Sequence, residues 1–112
     1  MFGFKMRSAT RDLEADLSRF QRIQATLGQV MDELQREKAG LRKRYSDASA
    51  DAALVFEAMP EGESQQPYEA KLDVFAKSIQ NCERRINFID AQIVFVSEIL
   101  ISVRSFCGRH AL

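Results

Sequence analysis

The sequence predicts an all-α protein: a long antiparallel helical hairpin, a two-helix coiled coil that dimerises into a four-helix bundle. Three observations predict it. From Tyr68, alternating steps of four and three residues land on Leu72, Phe75, Ile79, Cys82, Ile86, Ile89, Ile93, Val96, Leu100, Val103 and Cys107, without a polar interruption. A second stripe of the same spacing runs from Leu13 to Met59, with Gln24 and Lys38 as its two polar members among fourteen positions. Between the stripes lies Pro60–Gln66, which holds Gly62 and acidic residues. A seam sustained at a 3.5-residue period needs a helix to cover it, and each stripe is the other's cover.

In chain order, residues 1–8 are apolar and basic and are expected to form a flexible arm. Ser8 or Thr10 suits a helix cap, with Asp12 and Glu14 in the positively polarised first turn, so the first helix is predicted over 9–59. Pro60 ends it, because the residue before a proline is pushed out of helical geometry. The turn occupies 60–67, and Pro67 suits the start of the second helix, predicted over 68–107. Gly108 is the expected left-handed terminator, leaving a tail over 108–112. The whole of 1–112 is thus one helical-hairpin domain. A break near 40–47 is the alternative, since Gly40 costs about 1 kcal/mol inside a helix and Ser46 to Ser49 resembles a cap. The unbroken stripe through Leu41, Tyr45 and Ala48 favours one long helix.

Folding the chain at the turn pairs Met59 with Tyr68, Ala52 with Phe75, Ala48 with Ile79, Tyr45 with Cys82, Lys38 with Ile89, Gln24 with Val103 and Phe20 with Cys107. Small alanines meet large side chains in this register, which keeps the seam at constant width. Once the seam is closed, apolar residues are left over on the C-terminal half of the second helix. They are Phe88, Val94, Phe95, Ile99, Ile101 and Phe106, and they form the predicted protein interface. Ile23, Val30, Ala25 and Gly28 extend it on the first helix. An alternative cover is the arm itself, through Phe2, Phe4 and Met6, but the arm is too short to reach the whole patch.

Composition narrows the function. Sixteen basic and sixteen acidic side chains cancel, so no global charge draws the chain to nucleic acid or membrane. The charge is nonetheless segregated: residues 45–75 carry seven acidic and one basic side chain, and the flanking segments are net basic. Arg42, Lys43, Arg44, Arg84 and Arg85 fall level with one another and form a basic belt, a candidate anion-binding surface for nucleic acid or an anionic membrane. Glu37 and Glu83 offset part of it, and no aromatic residues interleave for base stacking. Cys82 and Cys107 stand too far apart on one helix for a disulfide, which suggests a reducing, cytoplasmic setting. The start has no apolar run of signal-peptide length, and Ile93 to Val103, interrupted by Glu98, is too short for a transmembrane segment.

Catalytic patterns are sparse. His110 with Cys107 offers two ligands at a helix end, short of a metal or nucleophile site. Asp12 with Asp16, and Asp47 with Asp51, lack the glutamate and Glu-x-x-His set of a di-metal bundle. No phosphate loop or nucleophile elbow occurs. Neither a cofactor nor a metal is expected, and the chain is read as no enzyme. In outline the hairpin is similar to secretion-apparatus stalk and chaperone proteins and to the small helical-hairpin substrates of type VII secretion. The Trp-x-Gly that the latter carry at their turn is absent, since the chain has no tryptophan. The function read from these features is an interaction protein or adaptor: a homodimer with a further protein partner, the basic belt supplying the alternative.

Overall fold

The computed structural model describes the backbone of residues 2–62 and 65–112, and the side chains of the same range from Ser8 onward. Two long helices pack against each other as a hairpin, α1 over Phe2–Ala58 and α2 over Gln66–Arg109. The predicted all-α hairpin is therefore observed. Helix α1 crosses Gly40 and Ser46 to Ser49 without interruption, so the three-helix alternative does not occur. A seam covered along its length offsets the local glycine cost through tertiary packing.

All four helix ends differ from expectation: α1 runs over Phe2–Ala58 rather than 9–59 and α2 over Gln66–Arg109 rather than 68–107. Residues 2–8 are helical rather than a flexible arm, which places Ser8, Thr10, Asp12 and Glu14 inside α1 instead of at its start. Extending an existing helix adds one hydrogen bond per residue fixed, and Lys5, Met6 and Arg7 are good helix formers, so no cap is needed to stop it at Ser8. The side chains of Phe2, Phe4 and Met6, the alternative cover, lie outside the described residues. At the other end Gly108 is helical, and the left-handed residue is Ala111, with φ 56°. The Leu112 amide donates to the Cys107 carbonyl at 2.8 Å, the six-to-one bond of a Schellman closure. At the turn, the Met59 amide donates to the Phe56 carbonyl at 3.3 Å before Pro60, and Gly62 takes a φ of 93° that side chains with a Cβ avoid.

The residues divide into two compact units. One comprises Met1–Glu33 with Ile93–Leu112, the other Leu34–Gln92. In the second, Leu34, Leu41 and Ala48 of α1 are buried at seven-residue intervals, as are Cys82 and Ile89 of α2, with Ile89 wholly withdrawn from solvent. In the first, Val96 and Cys107 are buried. Among the described residues all seven that are buried are seam positions, and every other seam residue is half-buried except Leu13, which is exposed.

Two cross-helix contacts fit the predicted register to within one residue. In the second unit Lys38 reaches Asp90, beside its expected partner Ile89, with Nζ 2.6 Å from Oδ1. In the first, the Phe20 ring stacks on Phe106, beside Cys107, at 5.2 Å between centroids. Gln24 departs by one layer: its amide approaches Cys107 Sγ at 3.8 Å instead of facing Val103. A side chain of that length spans the step between neighbouring seam layers.

Candidate interaction surface

The residues left over by the seam are where an interaction surface is expected. Phe88, Val94, Phe95 and Ile101 are each 57 to 65% exposed, Phe106 is 38% exposed and Ile99 is half-buried. At about 100° per residue they form two flanks rather than one patch. Phe95, Ile99 and Phe106 fall within an arc of about 40° on one side of the seam, and Phe88 precedes Phe95 by seven residues on the same side. Val94 and Ile101 stand on the opposite side. Of the α1 residues expected to extend the surface, Ile23 and Val30 share one flank by the same periodicity. Gly28 lies on the other flank and Ala25 on the back, both apart from that pair. A Cβ added at Gly28 meets nothing within 4 Å, so no helix of this chain approaches closely there. An apolar groove of about 510 Å³ runs along α1 at Arg19, Arg22, Ile23, Thr26 and Leu27.

The first unit also carries Phe106 as a joint: its ring packs on Phe20 on one side and on the His110 ring, 4.4 Å away, on the other. His110 therefore serves as an aromatic neighbour. Cys107, weighed with His110 as a metal or nucleophile site, is buried, and its carbonyl accepts from the Leu112 amide. Cys82 is buried too, as a small core residue. Among the described residues no group of three or more His, Cys, Asp or Glu is placed to hold a metal ion. Asp16 is engaged by Arg19 at 3.0 Å.

The basic belt, all within the second unit, is exposed but does not form one face. Arg42 lines a groove with Tyr45, Glu83, Ile86 and Asn87, while Arg44 lines a different one with Val74, Lys77 and Asn81. Arg85 is committed to Glu37, donating from Nε at 3.0 Å and from Nη2 at 3.2 Å in a fork. Lys43 and Arg84 are exposed. Four cations of the five are thus distributed around the two helices, and the fifth is partly neutralised.

Two features were missed from sequence. Leu54, Phe56 and Val74, in the second unit, are 63 to 66% exposed; they fall between seam positions, and the seam period applied to 45–75 would have found them. Helix α2 also holds an 18-residue window of mean hydropathy 1.7 with no more than two charged residues, of which 11% is buried. By length and composition alone this window, longer than the run Ile93 to Val103 weighed above, is long and apolar enough to cross a membrane. The mostly buried core helix of a soluble protein has the same length and composition. Comparison with family models, curated proteins and solved structures finds no match.

Proposed function

We propose that the chain is a non-enzymatic cytoplasmic interaction protein, an adaptor that pairs with a second copy through the C-terminal half of α2. The observation that carries this reading is the exposure of Phe88, Val94, Phe95 and Ile101 after the seam has closed. Large uncovered apolar surface is rare on monomers. Covering one such side chain contributes roughly 1.5–3 kcal/mol as an upper bound. Phe88 and Phe95 share one flank, and these two on each of two copies offset much of an association cost of about 4–15 kcal/mol. The heptad-like spacing of Phe88, Phe95, Ile99 and Phe106 suits a helix as the covering element, which a second hairpin supplies in a four-helix bundle. Sedimentation equilibrium tests it: the intact chain sediments as a dimer, and Phe95→Asp with Ile101→Asp sediments as a monomer of unchanged helicity. A single-chain mass for the unaltered protein at about 100 μM, a concentration far above a micromolar Kd, would refute it.

A second reading is favoured by the apolar window of α2 together with the exposed Arg42, Lys43, Arg44 and Arg84: attachment to an anionic membrane surface. It predicts co-sedimentation with phosphatidylserine vesicles at low salt, lost on Arg42→Ala, Lys43→Ala and Arg84→Ala together. Binding to duplex DNA lost by the same substitutions would assign the belt to nucleic acid instead.

A further inference from the structure

We infer that the turn end of the hairpin is a second docking surface, built for a basic amphipathic segment of another protein. It lies wholly within the unit Leu34–Gln92 and shares no residue with the α2 face proposed for self-pairing. Leu54, Phe56 and Val74 are among the most exposed large apolar side chains described, at 63, 66 and 65%. None occupies a seam position, so closing the hairpin leaves them in water. In the register of the seam Leu54 is level with Val74 across the two helices. Phe56 lies two residues nearer the turn on the other flank of α1, so this end is apolar on both sides.

Charge selects the occupant. Asp47, Asp51, Glu57, Glu61, Glu69 and Asp73 surround these three in sequence, and all six are exposed. None of them makes an ion pair among the described residues, in contrast to Asp16, Glu37 and Asp90. Lys71 is the one basic residue over 45–75; Arg44 and Lys77 share a groove with Val74, so the acidic character is strongest on the turn side of Val74, around Leu54 and Phe56. Concentrated like charge raises the energy of this end in isolation, and a cationic partner lowers it while steering its own approach. An anionic lipid or a nucleic acid is repelled. The chain's own basic belt is a poor match. Arg85 is already forked onto Glu37, and no exposed large apolar residue is described from Leu34 to Ala53 on α1 or from Phe75 to Asn87 on α2. A partner that presents cations together with apolar side chains, as a basic amphipathic helix does, satisfies both features at once.

The test titrates the intact chain with two synthetic peptides of equal lysine content, one an amphipathic Leu/Lys helix and one with each leucine replaced by serine, read by fluorescence anisotropy. At about 0.05 M salt the leucine peptide binds at least about tenfold more tightly, and about 0.5 M salt weakens it. Leu54→Ser, Phe56→Ser and Val74→Ser together remove about tenfold of the affinity; such exposed substitutions preserve the fold, which circular dichroism verifies. Independently, Glu57→Gln, Glu69→Gln and Asp73→Asn together flatten the salt dependence. Phe95→Asp leaves both effects in place, which separates this surface from the self-pairing face. Equal binding of the two peptides, binding of neither, or loss on Phe95→Asp with survival in the triple serine variant would each overturn the inference. So would self-association of the Phe95→Asp, Ile101→Asp protein that the triple serine change abolishes, because the occupant would then be a second copy.

Discussion

Ile89 shows how the hairpin uses its apolar side chains. Among the described residues it is the one large side chain wholly withdrawn from water, and it sits at the seam step where α1 offers Lys38, with Asp90 beside it to receive the ammonium group. Ile89→Ala removes three buried carbons and leaves a cavity that two helices close only partly. The expected loss is about 3 kcal/mol in urea unfolding, with helical content of the folded state retained. Gly62 is the opposite kind of residue, with nothing within 4 Å of a Cβ placed on it but a φ of 93° that a Cβ strains. Gly62→Ala is expected to cost about 1 kcal/mol through backbone strain alone, measured in the same way. Ala111 bears that strain natively, and the returning Leu112 amide offsets it.

At the scale of the element, the polar members of the seam carry information that apolar ones do not. A stripe of uniform hydrophobicity slips by a heptad at little cost, whereas Lys38 is satisfied where Asp90 is in reach. The Lys38 side chain is 20% exposed and that of Asp90 45%, so the pair is sheltered on one side only. A double-mutant cycle of Lys38→Leu and Asp90→Ala is expected to give a coupling of about 0.5–1 kcal/mol. Asp90→Ala alone destabilises, because it strands a half-sheltered ammonium. Lys38→Leu alone leaves stability equal or higher while loosening the register, which appears as broadened cross-helix resonances. A coupling near zero would place register control in the packing of alanines against large residues instead.

For the whole molecule, the exposed apolar flanks of α2 tie stability to concentration. If a second copy covers them, folding and association are linked, and the melting temperature of the unaltered chain rises with protein concentration. In the Phe95→Asp, Ile101→Asp protein it does not. Differential scanning calorimetry over a hundredfold range of concentration decides the matter, and a melting temperature independent of concentration in both proteins would count against pairing. The two proposed surfaces also differ in chemistry. The α2 flanks are apolar, whereas Leu54 and Phe56 stand near unpaired carboxylates and Val74 lies between Asp73 and the groove it shares with Arg44 and Lys77.

Much of the fold is legible in the residues because a heptad seam is a local code. Its period states that a helix exists, which face is covered and that a partner helix lies opposite. Thus Leu34, Leu41, Ala48, Cys82, Ile89, Val96 and Cys107 all lie on the seam that spacing marks, although spacing does not tell them from the half-buried seam residues beside them. Helix ends are less legible, since Ser8, Thr10 and Gly108 have the chemistry of terminators without being used as such; whether a cap is used depends on what the next turn packs against. The fork of Arg85 onto Glu37 and the approach of Gln24 to Cys107 were decided by tertiary structure, whereas the two flanks of leftover residues and the off-seam places of Leu54, Phe56 and Val74 follow from the helical period. Spacing along one helix says which side chains share a face, but only the placed partner helix decides which of them it leaves in water.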